Sequence, residues 1–224
     1  MKKLKEYLKD NPKIVVFDFD GVLADTIKIK GNVFATLFKD HGLRIKKFAN
    51  KFHLENVGLN RKKKFIKISE QFGKYNINEK ELEKLNKEFN STYSRFYKKI
   101  KINLDFINFI KKNKNKYKFY ISSTAPKKEI KSILKFNKFK KFFIKIYGSE
   151  ISKESALKQI LKKNKTNKSN IIFIGDSKHD LNAAKKTNIF FISYKFKSIS
   201  YKKIVFLSSS KKFGRVVNEY FNNY

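Results

Sequence analysis

The sequence predicts an α/β fold: a doubly wound parallel sheet interrupted by a small all-helical insert. Three observations carry that expectation. Short runs rich in β-branched and aromatic residues recur at 14–17 (IVVF), 119–121 (FYI), 143–147 (FIKIY), 171–174 (IIFI), 189–192 (IFFI) and 204–207 (IVFL). Most of them lack the alternation of a half-exposed strand, which suits strands covered on both faces of a parallel sheet. Helical patterns separate the later runs, and strand alternating with helix is the pattern of doubly wound sheets.

IVVF is the first expected strand. From 27 to 97 the apolar spacing is helical around Val33, Leu37 and Phe38, around Phe65, Ile66 and Ile68, and around Leu82, Leu85, Phe89 and Tyr93, with no convincing strand. The expected organisation is a core domain formed by 1–26 and 98–224, with a helical domain at 27–97. Such an insert would sit over the carboxyl ends of the strands, where open α/β sheets bind ligands. Helices are expected at 104–114, 127–139, 152–163 and 180–187, and an amphipathic stretch at about 212–222 follows the last strand. No internal repeat and no Gly/Ser or Pro-rich linker marks the borders.

Composition narrows the function classes. The chain of 224 residues has no cysteine, which excludes a disulfide framework and a thiolate zinc site. Nowhere do the ~18 to 20 successive apolar residues of a membrane span occur, and MKKLKEYLKDNPK has no apolar core of a secretory signal, so a cytoplasmic protein is expected. Lysine and arginine outnumber aspartate and glutamate 54 to 19, giving a formal charge of +35. Clustered lysines can bind nucleic acid, yet here they are spread through nearly every segment, with KKNKNKYK at 111–118 the densest run. Lys, Asn, Ile and Phe are abundant together throughout, as biased coding DNA would produce. Nucleic acid is therefore not expected as the main partner, although such a field would draw anionic substrates towards a cleft.

Polar residues stand at the ends of four expected strands. Asp18-Phe19-Asp20-Gly21 follows IVVF, and side chains two apart in an extended segment point the same way, so Asp18 and Asp20 can face one ligand. Crowded carboxylates raise one another's pKa unless a cation neutralises them, and a hard divalent ion such as Mg²⁺ takes oxygen ligands. Ser122-Ser123-Thr124 follows FYI and offers hydroxyls and backbone N–H groups to a phosphate. GSEISKESALKQIL at 148–161 puts Lys153 in the first turn of a helix with Ser152 as a plausible N-cap. A cation near that positive helix end is better placed if it pairs with acids or phosphate. In IIFIGDSKHDL, Asp176 and Asp180 can converge on one cation, although Asp180 could equally cap a helix beginning at Leu181.

With DFDGVLADT at 18–26, ISST at 121–124, Lys153 in GSEISKESAL and GDSKHD at 175–180, in that order, the chain resembles the haloacid dehalogenase superfamily. Its helical insert resembles the small cap of that family's phosphoglycolate-phosphatase-like members. The resemblance implies a Rossmann-like core and a Mg²⁺-dependent phosphatase acting on a small phosphorylated metabolite. In it Asp18 would be the nucleophile that becomes an aspartyl phosphate, and Asp20 the general acid and base. Mg²⁺ would be held by Asp18, the backbone carbonyl of Asp20 and Asp176, with Asp180 in or just outside its shell. Ser122 would bind a phosphoryl oxygen and Lys153 would balance charge. Serine at 123 stands where asparagine is common, which leaves Ser123 as a second candidate for the phosphate.

The insert offers NVGLNRKKKF at 56–65, which resembles a cap loop of some relatives. Asn60 and Arg61 are candidates for the distal part of the substrate, against the bland reading of a turn before a basic helix. Asp25 and Thr26 are expected to organise the turn, and His41, His53 and His179 to have no catalytic part. The alternatives are a β-phosphoglucomutase-type mutase using the same residues and a basic nucleic-acid-binding protein. A dehalogenase is disfavoured because it has no need of Asp20. Neither the substrate nor the oligomeric state is legible in this sequence.

Overall fold

The computed structural model describes residues 12–196 and 201–223. Their contacts divide them into a core unit, within 1–24 and 102–224, and a helical unit, Asp25–Lys101.

In the core unit, six strands form one parallel sheet: β1 (Ile14–Phe17), β2 (Lys118–Ser122), β3 (Lys145–Tyr147), β4 (Ile171–Gly175), β5 (Phe190–Tyr194) and β6 (Ile204–Leu207). Their order is β3-β2-β1-β4-β5-β6, every neighbouring pair parallel. All six coincide with the apolar runs of the sequence, and the expected α/β fold is the one observed. The absence of alternation has its reason in β1, where all four residues are buried. Ile14 and Val16 pack with Tyr120, Leu157, Ile160, Phe173 and Phe191 on one face of the sheet. Phe17 faces the other way into an aromatic cluster, its ring 5.7 Å from Phe106 and 5.5 Å from Phe213. Helices α5 (Leu104–Asn113) and α9 (Phe213–Asn222) bring those rings, whereas α7 (Lys153–Asn164) and α8 (Lys178–Thr187) cover the first face.

The chain runs outward from β1 through β2 to β3, then crosses back to place β4 on the other side of β1. The direction of winding therefore reverses between β1 and β4, and open α/β sheets bind ligands at the carboxyl ends of strands at such a reversal.

Two helices differ from the sequence reading. The helix expected at 127–139 is α6 (Lys127–Phe136) and stops short, because Asn137 and Lys138 leave the helix, Lys138 with φ 61°. The helix α8 begins at Lys178, not Leu181. Ser177 is its N-cap and Asp180 its third residue, the two side chains forming a reciprocal capping box.

The helical unit contains α1 (Ile27–Leu37), α2 (Leu43–Glu55), α3 (Arg61–Ser69) and α4 (Glu79–Ser94). Phe34 is central, its ring 4.9 Å from Phe89, 5.6 Å from Phe65 and stacked on His53 at 5.1 Å. The sequence reading had no periodicity for α2. Its buried stripe is Ile45, Ala49 and His53, at helical spacing but with one small residue and one polar one, so hydrophobicity alone left it faint.

Candidate active site

The sheet brings the carboxyl ends of β1, β2 and β4 together, and each ends in a polar residue. Asp18 follows β1 directly and its N–H donates to Ile174 O of β4 at 2.9 Å, continuing the ladder one residue beyond the strand. Its side chain is buried, 4 % exposed. The Phe19 N–H donates to Asp18 Oδ1 at 2.6 Å, and Lys153 Nζ lies 2.9 Å from Oδ2. Beyond Asp18 the chain makes a tight turn in which Gly21 N–H donates to Ala24 O and Ala24 N–H to Phe19 O, both at 2.9 Å. Gly21 takes φ 77°, a left-handed conformation that suits glycine. Asp20 sits half-buried inside this turn, and Asp25 is exposed just after it.

Lys153 is the first residue of α7, with Ser152 as N-cap accepting the Ser155 N–H at 3.1 Å. Its ammonium is buried between two carboxylates, paired with Asp18 and donating to Asp180 Oδ1. Burial works against that charge, yet Asp18 and Asp180 outweigh it and carry the Lys153 pKa above its ordinary 10.5. Asp180 is fully buried, and its Oδ2 accepts from Ser177 Oγ at 2.5 Å and from the Ser177 N–H at 3.2 Å. Gly175 permits this arrangement, since a Cβ there would run into the Asp180 side chain. Both Asp180 oxygens are thus committed within the protein, one of them to positioning Lys153.

Asp176 is different. It follows β4 across the reversal from Asp18, and its buried Oδ1 has no hydrogen-bond partner among the described residues. Burial, then repulsion from Asp18 and Asp180, raises its pKa to about 8. Burial and Asp180 likewise raise Asp18 to about 7, against the opposing pull of Lys153. One carboxylate oxygen from each of Asp18, Asp176 and Asp180 lies within 4.8 Å of the others. Three acids around one lysine, one of them with a bare buried oxygen, form a donor set that fits a hard divalent cation.

This sets an expectation for stability. An acid whose folded pKa is raised binds its proton more tightly in the folded state, so its contribution to stability falls as pH rises from about 4 to about 8. In a chelator, Asp176→Asn should therefore melt several degrees above the unsubstituted protein at pH 8, and the gap should close near pH 4. Thermal melts at the two pH values check this; a variant that melts lower at pH 8 would contradict it.

The two serines after β2 are used differently. Ser123 N–H donates to Tyr147 O at 3.0 Å, and its Oγ accepts the Ala125 N–H at 3.2 Å, closing a local turn. Ser122, the last residue of β2, is 1 % exposed and its Oγ has no partner among the described residues. Asn60 and Arg61 are engaged inside the helical unit. Asn60 caps α3, accepting the Lys62 N–H at 2.9 Å. Arg61 Nη1 donates to Asn86 and Asn90 at 3.0 and 2.7 Å, with its guanidinium 4.0 Å over the Phe89 ring. Of the histidines, His41 stacks on Phe72 and His179 is exposed. His53 is buried, with Nε2 3.1 Å from Ile27 O and Nδ1 2.9 Å from Lys64 Nζ. Ser177 was missed as a contributor; its signal was the serine three residues before an acid, a capping-box spacing.

A parallel sheet with an acid after the central strand, a lysine-bridged carboxylate group beside it and a hydroxyl on the next strand makes this a protein of the α/β class with a candidate active site at the carboxyl ends of its strands. The sequence model of the haloacid dehalogenase-like hydrolases matches residues 15–194, and the chain belongs to that family. No curated protein matches it. Among solved structures it is similar to a β-phosphoglucomutase from Clostridium difficile, at 22 % identity, over 95 % of this chain and 98 % of that one, with a TM-score of 0.80. A predicted phosphoglycolate phosphatase from Haemophilus somnus aligns at 15 % identity over 92 % and 97 %, with a TM-score of 0.72. A HAD-superfamily hydrolase of subfamily IA from Geobacter sulfurreducens aligns at 11 % identity over 92 % and 96 %, with a TM-score of 0.65. At these identities the likeness is one of fold.

Proposed function

We propose that the chain is a phosphatase that hydrolyses a small phosphorylated metabolite through an aspartyl phosphate on Asp18. The observation that carries this reading is the buried Asp18–Lys153 pair, flanked by the bare Asp176 Oδ1 and the bare Ser122 hydroxyl. A carboxylate oxygen of Asp18 attacks phosphorus while the bond to the leaving oxygen breaks, and Asp20 delivers a proton to that oxygen. Water then attacks the phosphoryl group, Asp20 takes its proton, and inorganic phosphate leaves with Asp18 restored. Lys153, fixed by Asp180, offsets negative charge between the nucleophile and the phosphoryl oxygens. Ser122 binds one of those oxygens, a role its unpartnered hydroxyl suits better than the turn-bound Ser123.

Mg²⁺ fits the acids present: Asp18 and Asp176 would hold it with the Asp20 carbonyl, and Asp180 would stay with Lys153. When bound it would neutralise the crowded carboxylates and polarise the phosphoryl group. Asn60 and Arg61 act as parts of the helical unit in this reading, Asn60 as a helix cap and Arg61 as a bridge to Asn86 and Asn90.

A screen of phosphorylated metabolites with Mg²⁺, scored by kcat/KM and by free phosphate, tests the reading. Phosphate release from none of them, or the formation of an isomer in place of free phosphate, would refute it. The serines give a sharper check. Ser122→Ala should lower kcat/KM by about 10²- to 10³-fold, on the scale of one lost donor to a transition state, without lowering stability. Ser123→Ala should cost about 0.5–1.5 kcal/mol of stability through its lost turn bond and change turnover little.

A further inference from the structure

The densest run of cations, residues 111–118, has no part in the carboxylate site. Between residues 106 and 149 the chain carries thirteen lysines against one acid, Glu129, which is buried. That segment builds one margin of the core unit, from α5 through β2 and α6 to the edge strand β3. Two grooves open there. The larger, about 740 Å³, is lined by Lys111, Lys114, Lys118 and Lys141 beside Phe142 and Ile144. The second, about 390 Å³, is lined by Lys127, Lys128, Lys131, Lys135 and Lys140. Lys140 and Lys141 are successive residues of one short turn, and each lines one of the two grooves.

What sets these nine lysines apart is their gathering along two adjoining grooves, and no acid offsets them as it does some lysines elsewhere. Lys62, Lys67, Lys74 and Lys158 each hold a glutamate at 2.5–2.9 Å. None of the nine forms an ion pair among the described residues. The one acid beside them, Glu150, accepts the Lys127 N–H at 3.1 Å instead. The larger groove also shows apolar surface: Ile144 is 51 % exposed, and Lys141 Nζ lies 5.6 Å over the half-buried Phe142 ring. It opens at the start of β2, roughly 13 Å along the strand from Ser122 at its carboxyl end.

We propose that the two grooves form one track that binds single-stranded nucleic acid without reading its sequence. Unneutralised lysines in series match a chain of phosphates, and their flexible heads carry no base code. The apolar floor of Phe142 and Ile144 offers a face to unpaired bases, which a duplex would keep stacked on each other. A small anion would fill one groove, whereas two in succession suit a polymer. A second copy of this chain is a poor occupant, since each copy carries +35.

The test uses the full-length protein and a labelled random-sequence single strand of about 20 nucleotides, read by fluorescence anisotropy at about 150 mM salt. One variant carries Lys111→Glu, Lys114→Glu and Lys141→Glu; a control carries Lys162→Glu, Lys163→Glu and Lys168→Glu, with the same change of net charge. The groove variant should bind at least tenfold more weakly and the control within about threefold of the unsubstituted protein, with a salt slope shallower by about 2 in the groove variant only. Both should keep their turnover of a small phosphate ester, which shows that they are folded. Equal losses in the two variants would mean a diffuse field and overturn the proposal. So would no measurable binding by the unsubstituted protein, or equal competition by inorganic polyphosphate of matched charge.

Discussion

Asp18→Asn should cut Mg²⁺-dependent phosphate release from a generic aryl phosphate by about 10³-fold or more, the scale on which a covalent nucleophile is lost. Asparagine nearly matches the shape of aspartate and can keep the bond from the Phe19 N–H, so the turn after β1 should stay in place. Lys153 keeps Asp180 as its partner, and the melting temperature should move by only a few degrees. Steady-state kinetics beside a thermal melt separates loss of chemistry from loss of fold. Unchanged turnover in a folded variant would remove Asp18 from the mechanism and the aspartyl phosphate with it.

Lys153→Met should have the largest effect on stability. Lys153 is 6 % exposed and its ammonium lies between two buried carboxylates, so methionine fills the volume but leaves both acids without their cation. Removing one partner of a buried pair costs about 3–5 kcal/mol, which lowers the melting temperature of a chain this size by roughly 6–20 °C. The cost should depend on pH. The Lys153 pKa is raised, so its stabilisation is fully present below 10.5 and is constant between pH 5 and 8. The change with pH therefore comes from the acids. Without the cation their folded pKa values rise further, the folded state takes up protons that the unfolded chain refuses until about pH 4, and the penalty shrinks on acidification. Melts in a chelator should show the greatest deficit at pH 8 and a smaller one at pH 5; a deficit that grows towards pH 5 would overturn this account of the site.

The sheet was legible in the sequence because strands covered on both faces must be apolar at every position, and IVVF and IIFI read that way without ambiguity. The acids were legible for the opposite reason, as polar residues stranded at the ends of such runs. What stayed hidden depended on contacts between distant residues. The α2 helix buries Ala49 and His53, and a histidine in a helical core carries no hydrophobic signal. The start of α8 was misplaced because an aspartate can cap from the N-cap or brace from the third position, and only the Ser177 side chain decides between them. Ser122 and Ser123 are the same residue type in adjacent positions; what separates them is the Ala125 N–H, which occupies one and leaves the other bare. Composition hid the grooves, since lysine abounds everywhere and only the fold gathers Lys111, Lys114, Lys118 and Lys141 into one groove and Lys127, Lys128, Lys131, Lys135 and Lys140 into the other.

The position of β1 bears on how the protein reaches its folded form. This strand is central, and its partners on either side, β2 and β4, lie more than a hundred residues further along the chain. Closing such long loops precedes the reward of pairing, which makes parallel sheets of this kind slow to form. During synthesis the first strand must wait, apolar on both faces, until most of the chain has emerged. Asp18 and Asp176 can meet only when β4 has docked, so catalytic competence should be among the last properties gained on refolding. The helical unit is contiguous from 25 to 101 and has no such wait, and it is positioned in the chain to fold while the sheet is still incomplete.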